Sequence, residues 1–239
     1  MAVLTFANTK GGAGKTTAVV IVACELARMG FSVAVLDADP QLWISKWYER
    51  LGERAPSALS VVPYVTAGNL GQHARKLREE VDFLLIDLPG ARSPLLAQAL
   101  GYSNYVLIPV QGSAMDAEGA TNVIELLQYL DDRAEIRIPH SVVLTRVNPM
   151  VTTRALQSVK ELLSSRRVHV LSTPIIERAA YREVFGYGQT LYSIAPESVS
   201  NLDKAQQNAQ ALAQEVLRRI MPYSSRADQT KSERRKLSA

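Results

Sequence analysis

The chain of 239 residues has a single cysteine, Cys24, and three histidines, His73, His140 and His169. One cysteine cannot form an internal disulfide, and it cannot supply the several thiolates of a cysteine-ligated cluster. The histidines stand far apart without the spacing of metal ligands, so no metal site made of protein side chains alone is predicted. No apolar run is long enough to cross a bilayer and no secretory signal is recognisable, so we expect a cytoplasmic protein.

The composition that remains is sufficient for one large hydrophobic core. Hydrophobic residues make up 47% of the chain, and no Ser- or Gly-rich linker divides it. Strand patterns are predicted at 3–7, 31–36, 61–65, 81–86, 105–109, 141–145 and 168–171, and helix patterns at 16–29, 42–51, 69–80, 116–130 and 152–164. This alternation predicts an α/β fold, a mostly parallel twisted sheet with helices on both faces. We expect one domain over residues 1–221 and a basic, polar, disordered tail over 222–239.

The most informative segment is a glycine-rich loop between the first predicted strand and the first predicted helix. It reads Lys10, Gly11, Gly12, Ala13, Gly14, Lys15, Thr16 and Thr17. In a strand, turn and helix arrangement, backbone amides at the positive helix end can cradle a polyphosphate. We expect Lys15 to reach the β- and γ-phosphates and the Thr16 hydroxyl to ligate Mg²⁺. The alternative, a plain glycine-rich turn, is disfavoured by the complete pattern in this setting.

Two acidic segments follow other predicted strands. Asp37 and Asp39 belong to the segment DADPQ, and Asp87 begins the segment DLPG, which ends at Gly90. Ligands of α/β proteins bind at the carboxyl edge of the sheet, where these acids would lie. A carboxylate of the first segment can orient an attacking water, while Asp87 can hold the metal through water with Gly90 near the γ-phosphate. An acid at a strand end is also a common helix cap or turn former, and the order of the three segments argues against that reading.

Through KGGAGKTT, DADPQ and FLLIDLPG the chain resembles the ParA family of partition ATPases, within the deviant Walker A group that includes MinD. The resemblance covers about residues 2–220 and implies the P-loop NTPase fold. No helix-turn-helix extension precedes the loop, so the chain is most similar to the short, ParF-type subgroup. The resemblance implies an ATPase that uses ATP and Mg²⁺, releases ADP and phosphate, and forms a homodimer when ATP is bound.

The resemblance also implies a role for each matching residue. Lys10 is similar to the lysine that crosses a nucleotide sandwich to the phosphates of the partner subunit, and Lys15 acts within its own subunit. Asp39 matches the acid that positions the hydrolytic water. Asp87 matches the Walker B acid, and Asp37 would support the metal site beside it. Lys10, Lys15 and Asp39 are therefore the expected catalytic residues.

One further nucleotide contact is predicted at Arg146, which follows the strand predicted at 141–145. The resemblance places an adenine contact there, although a charged residue that leaves a buried strand is more often only solvated. The stretch 108–116 fits the segment that borders the nucleotide and the dimer face in the subgroup. The usual sequence of this segment is proline-rich, and this chain departs from it at Gln111, Gly112 and Ala114. The departure affects the detail of the dimer contact and not the fold.

The charge of the chain is concentrated at its carboxyl end. The net charge is +4, and residues 218–239 hold seven Lys and Arg against two acids, so they contribute +5 and the remainder −1. Such a tail is either a solvated, disordered end or a sequence-independent binder of phosphate backbones. ParA-type proteins bind nucleoid DNA as ATP dimers, and the resemblance places a late helix, with Arg178 and Arg182, near the DNA. The predicted DNA-binding residues are Arg178, Arg182, Arg218, Arg219, Arg234, Arg235 and Lys236.

Three functional classes compete. The first is an ATP-dependent switch that dimerises, binds nonspecific DNA on the nucleoid and moves a cargo such as a plasmid, with hydrolysis stimulated by a ParB- or ParG-like adaptor. The second is a MinD-like membrane switch, but the stripe at 205–220 is rich in alanine and better suited to packing on the domain. The third is a reductase like the nitrogenase iron protein, which a single cysteine nearly excludes. The first is the preferred reading, without membrane association.

Overall fold

The computed structural model describes residues 1–112, 114–148 and 153–237, and the side chains of 114–116 and 223–237 lie outside that description. The strands within these ranges are β1 (Ala2–Phe6), β2 (Val33–Asp37), β3 (Leu59–Val62), β4 (Phe83–Asp87), β5 (Tyr105–Val110) and β6 (His140–Leu144). They form one sheet in the order β3-β2-β4-β1-β5-β6. Every pair of neighbours in it is parallel. The α/β fold with a parallel sheet is therefore confirmed.

Helices connect the strands and cover both faces of the sheet. In chain order they are α1 (Lys15–Arg28), α2 (Trp43–Leu51), α3 (Leu70–Leu77), α4 (Pro94–Tyr102), α5 (Ala114–Ala134), α6 (Arg154–Ser165), α7 (Ala179–Tyr187) and α8 (Leu202–Leu237). Alternate residues of each strand face opposite layers, as the period of a strand requires. In β1, Leu4 and Phe6 pack with α1, α2, α7 and α8. Val3 packs with the layer of α3, α4, α5 and α6.

The strand predicted at 168–171 does not form. Val170 makes only an isolated parallel bridge to Val142. The backbone of this segment meets β6 at two points, where Val142 N donates to His169 O and Leu171 N donates to Val142 O, both at 2.8 Å. Because the segment touches the edge strand over so short a length, no ladder develops, and the sheet ends at β6.

Helix α4 was not predicted. No element was predicted between DLPG and the strand at 105–109, yet Ser93 caps a helix there, with Leu96 N donating to Ser93 Oγ at 3.3 Å. Pro94 occupies the first turn, where a missing amide hydrogen costs nothing. The helix predicted at 152–164 begins instead at Arg154 behind the Thr153 cap, and position 152 lies outside the described residues.

Helix α8 carries the alanine-rich stripe against the body of the domain. Ala205, Ala209, Leu212, Val216 and Ile220 are at most 1% exposed, and the helix packs on α1 and β1. The expectation that this stripe packs on the domain is confirmed. The helix continues through Pro222 to Leu237 and so crosses the predicted boundary at residue 222. The side chains that would define the tail lie outside the described set, so the division into domain and tail stays a prediction.

Candidate nucleotide site

The sheet order brings the glycine-rich loop and the two acidic segments to one place. The loop follows β1, and β4 lies directly between β1 and β2. In this register Asp87 at the end of β4 lies beside Phe6 of β1 on one side and Asp37 of β2 on the other. The carboxyl ends of three neighbouring parallel strands therefore deliver the loop and two carboxylates to one edge.

The glycines of the loop are required by its backbone. Gly12 and Gly14 have φ of 80° and 90°, in the left-handed region that favours glycine. A Cβ on Gly14 would also lie 3.2 Å from the Thr145 side chain, whose hydroxyl donates to Ala13 O at 2.9 Å. Gly14 is the N-cap of α1 and no side chain caps that end. The first turn of α1 is thus open to an anion, which the helix dipole favours there.

Lys15, Thr16 and Asp87 form a buried polar group at the start of α1. Lys15 is 5% exposed, and its Nζ donates to Lys10 O at 3.2 Å. Burial lowers the pKa of Lys15, against the attraction of Asp87 and Asp39. A nearby polyphosphate would restore its preference for the charged form.

Asp87 has the features of a metal-supporting carboxylate. Thr16 Oγ1 donates to its Oδ2 at 2.9 Å, while its Oδ1 is buried and has no hydrogen-bond partner. Burial raises the pKa of Asp87 to about 7. An unsatisfied carboxylate oxygen beside a hydroxyl is a hard-oxygen setting that suits Mg²⁺. Within the described residues, no cluster of three or more His, Cys, Asp or Glu could hold a metal, so the phosphates would have to supply further ligands.

The two acids of DADPQ have different surroundings. Asp37 is fully buried, and its Oδ2 accepts from the Ser45 amide at 2.9 Å and the Ser45 hydroxyl at 2.7 Å. Burial raises the pKa of Asp37, although these hydrogen bonds oppose the rise. Asp39 is partly exposed, and its Oδ1 accepts from Gln41 N at 2.9 Å. Asp37 thus ties α2 to the sheet, and Asp39 is the more accessible of the two.

Lys10 is held within its own subunit. Its Nζ lies 3.4 Å from Glu118 Oε2, and its amide donates to Asn8 Oδ1 at 2.9 Å. A Cβ on Gly119 would come within 2.7 Å of Lys10 Cγ. The absence of a side chain at Gly119 therefore lets Lys10 pack against α5. Sequence reasoning missed Glu118 and Gly119 because no motif joins them to the loop.

Further residues outside the motifs contact the loop or the segment next to it. The Gln111 amide donates to Gly12 O, and Asn8 Nδ2 donates to Pro109 O at 2.8 Å. A Cβ on Gly90 would lie 2.7 Å from Gly11 N, so the DLPG segment is in close contact with the loop. Of these supports, only the departure at Gln111 was noted from the sequence, and Asn8, which follows the strand predicted at 3–7, was not singled out.

A cavity of about 200 Å³ adjoins the loop on the side of β6. Gly14 and Thr17 line it together with Arg146, Arg178 and Arg182. The Nε of Arg178 is buried without a hydrogen-bond partner, and Arg182 pairs with Glu177 at 3.5 Å. Arg146 is therefore placed where a base could lie next to the phosphate loop, and two predicted DNA-binding arginines share its cavity.

The structure does not bring the predicted DNA-binding residues together. Arg178 and Arg182 adjoin the nucleotide loop, whereas Arg218 and Arg219 are exposed on α8. Arg219 donates to His169 Nε2 at 2.5 Å, and His169 lies beside β6. The side chains of Arg234, Arg235 and Lys236 lie outside the described residues. Those assignments stay predictions.

Comparison with known proteins identifies the class that this fold and site define. The sequence model of the CbiA family, described as the CobQ/CobB/MinD/ParA nucleotide binding domain, matches residues 4–191. The chain belongs to this family. Protein ParA of Rhizobium radiobacter is 29% identical over 220 residues, which cover 92% of this chain and 98% of that protein. The maintenance of carboxysome distribution protein A of Halothiobacillus neapolitanus is 29% identical over 206 residues, 85% and 93% of the two chains.

A solved structure shows the same fold. The ATP complex of an McdA variant from Cyanothece superposes with a TM-score of 0.72 at 17% identity, over 90% of this chain and 96% of that one. The resemblance to ParA-family ATPases is confirmed by these matches. The finer assignment to the ParF-type subgroup stays a prediction.

Proposed function

We propose that the chain is an ATP-dependent dimerising switch that binds DNA without sequence preference and positions a cargo such as a plasmid. The observation that carries this proposal is the hydrogen bond of Thr16 to Asp87, which leaves a buried carboxylate oxygen open beside the loop lysine. A hydroxyl, a carboxylate and an uncapped helix start at one point fit Mg²⁺ and a polyphosphate together. The nucleoid would then be the place of action in the cytoplasm.

Each residue of the site has a definite task in this proposal. Mg²⁺, when bound, would neutralise charge on the β- and γ-phosphate oxygens. Thr16 would hold the metal directly, and Asp87 would orient its water ligands. Lys15 would place its ammonium on the same oxygens. Asp39, the accessible acid at the end of β2, would orient the water that attacks the γ-phosphate.

Dimerisation would depend on Lys10. Its ammonium would leave Glu118 and reach the phosphates bound to a second subunit, so that charge neutralisation is complete only in the dimer. Hydrolysis would remove the γ-phosphate and with it part of the attraction that holds the two subunits. A partner protein of the ParB or ParG type would stimulate this step and thereby time the release from DNA.

The names of the relatives agree with a positioning role. They include a ParA protein and a protein named for the maintenance of carboxysome distribution. The alternative of a MinD-like membrane switch would need an apolar helix face free to enter a lipid surface. The stripe of α8 that could serve this purpose is buried on α1 and β1. No helix in the part of the chain that the structure describes is long and apolar enough to span a membrane.

The proposal is tested by cosedimentation of the protein with duplex DNA in ATP, in ADP and without nucleotide. We expect DNA binding by the wild type in ATP only. Lys15→Ala should lose it, because the buried ammonium that compensates the phosphates is gone. Lys160→Ala, which removes an exposed lysine on α6, is the control and should behave as wild type. Equal DNA binding in all three nucleotide states would contradict the proposal.

A further inference from the structure

A second and larger cleft opens at the amino ends of the strands, on the side of the sheet opposite to the nucleotide site. It has a volume of about 760 Å³ and is lined by the amino ends of β5 and β6 with the segments before them, the second half of α5, the segment after α6, and Arg219 of α8. Because the phosphate loop lies at the carboxyl ends of the strands and this cleft at their amino ends, the sheet separates the two. None of the residues proposed above for the nucleotide lines it.

The cleft carries an excess of positive charge. Arg137, Arg167 and Arg219 line it, and Asp131 is the acid among its lining residues. All three arginines are exposed, and within the described residues none of them forms an ion pair. The neighbouring Arg166, by contrast, pairs with Glu125 at 3.5 Å. Three guanidinium groups thus line one cleft, with Asp131 among the lining residues and Glu215 of α8 acting on Arg219. The cleft keeps an excess of positive charge, which an anionic ligand would balance.

One of these arginines is positioned by a chain of hydrogen bonds that starts in the core. The buried Tyr105 hydroxyl lies 2.5 Å from Ser141 Oγ, which lies 2.8 Å from His169 Nδ1. Arg219 contacts His169 Nε2 at 2.5 Å. Since a guanidinium can only donate, Nε2 accepts, and His169 is the neutral tautomer with its hydrogen on Nδ1. Burial and the charge of Arg219 lower the pKa of His169, which agrees with this tautomer.

We propose that this cleft binds an acidic peptide segment of a partner protein. Its walls combine the guanidinium groups with the apolar Leu127, Ile138 and Pro139. Carboxylates with apolar side chains between them match that combination, and Arg pairs with carboxylate in a forked geometry. Duplex DNA fits less well, because a rigid duplex reaches only the rim of a concave cleft, whereas an extended peptide can enter it. The inference goes beyond the proposed function and needs no nucleotide.

The test uses fluorescein-labelled peptides and the full-length protein. One peptide alternates Glu with Leu, and the reference peptide alternates Gln with Leu. Fluorescence anisotropy should show binding of the first only. R137Q/R167Q/R219Q should weaken that binding roughly tenfold or more, because three partly exposed contacts are lost together. R133Q/R166Q/R218Q removes the same charge from neighbouring positions outside the cleft and should change it by less than about twofold.

Two further measurements separate the cleft from general charge and from nucleic acid. Asp131→Asn should tighten binding of the Glu peptide, a gain that an unfolded or damaged protein cannot produce. Equal losses in the two triple variants, or no binding by the wild type, would overturn the proposal. So would displacement of the peptide by duplex DNA together with an equal loss of DNA and peptide affinity in R137Q/R167Q/R219Q, since the cleft would then be a nucleic-acid site.

Discussion

At the scale of single residues, the site combines groups of unequal accessibility. Lys15 and Asp87 are buried, whereas Asp39 is partly exposed at the end of β2. In the proposed site, Lys15 compensates the phosphate charge and Asp87 supports the metal. Removal of either side chain should therefore abolish nucleotide binding. Asp39 can be removed without disturbing the loop, which separates binding from hydrolysis.

The consequence for Asp39→Ala is an ATP-bound dimer that persists. Within the described residues the carboxylate accepts a single local hydrogen bond, from Gln41, so its removal should leave phosphate and Mg²⁺ binding intact. Hydrolysis should fall by roughly 10²-fold or more, the usual effect of losing a general base. Single-turnover hydrolysis and DNA retention in ATP measure the two effects. Loss of ATP binding would make Asp39 a structural residue and Asp37 the better candidate for catalysis.

Asp87 should make the stability of the nucleotide-free protein depend on pH. Its pKa is about 7 in the folded chain and near 4 when unfolded. The folded state therefore holds the proton more tightly, so stability is greatest below about pH 4 and falls as the pH rises through 7. The full effect is at most about 4 kcal/mol.

The measurement is urea denaturation of wild type and Asp87→Asn between pH 4 and 8, without nucleotide or Mg²⁺. The difference in the free energy of unfolding between them should change with pH in favour of the variant as the pH rises. Asp37, whose pKa burial also raises, contributes a slope of the same sign. Because the charge of Asp37 acts on Asp87, the difference between the two proteins reports the titration of this carboxylate pair. A constant difference over this range would show that Asp87 does not titrate there.

At the scale of secondary-structure elements, α5 is in contact with the loop that it faces. Glu118 pairs with Lys10, and the carbonyl of Gly119 accepts from Thr9 Oγ1 at 3.2 Å. The lysine that would cross to a second subunit is thus retained by a helix of its own. Because both partners are substantially exposed, this retention is weak, and it can set the dimerisation equilibrium without blocking it.

Glu118→Gln should therefore favour the ATP dimer. Release of Lys10 should tighten dimerisation in ATP by roughly two- to fivefold, as expected for an exposed ion pair. Glu125→Gln is the matched control, because Glu125 lies on the same helix as Glu118 but away from the loop, where it pairs with Arg166. Sedimentation velocity in ATP compares them, with Lys10→Ala as the variant that should remain monomeric. A Lys10→Ala protein that dimerises normally would contradict the role of this lysine.

What could be predicted from the sequence differs between elements for a physical reason. The loop, α1, β2 and β4 carry local patterns of glycine, apolar residues and terminal acids, and each of them forms. Helix α4 was not predicted, although Ser93 followed by Pro94 is the type of sequence that starts a helix. The segment at 168–171 has strand composition but too short a contact with the sheet edge. The contacts of Glu118 and Thr145 join residues more than one hundred positions apart, which no local pattern records.

At the scale of the whole molecule, positive charge is divided between separate surfaces. Arg178 and Arg182 adjoin the nucleotide, Arg219 belongs to the cleft at the opposite edge, and five further basic residues follow residue 222. A long polyanion such as DNA can contact Arg178 and Arg182 together with the basic residues after position 222, so affinity should be the sum of many weak contacts. The salt dependence of binding reports how many contacts are made.

Removal of residues 223–239 should lower that salt dependence. The truncation deletes five basic and two acidic residues, yet keeps the buried Ile220 and so the packing of α8. Each lost phosphate contact should reduce the log–log slope by roughly 0.9, with little change in sequence preference or in ATP hydrolysis without DNA. Titration of labelled duplex across a salt series measures the slope. Identical slopes would assign DNA binding to the folded body, with Arg178 and Arg182 first.

The order of the strands also determines at which stage of folding the nucleotide site forms. Thr16 and Asp87 are 71 positions apart and meet only after β4 has inserted between β1 and β2. Pairings of such separation form late and slowly in folding. A nascent chain that has released only the loop and α1 lacks Asp87 and so cannot form the Thr16–Asp87 contact. Nucleotide should therefore slow unfolding of the finished protein and leave its refolding rate almost unchanged.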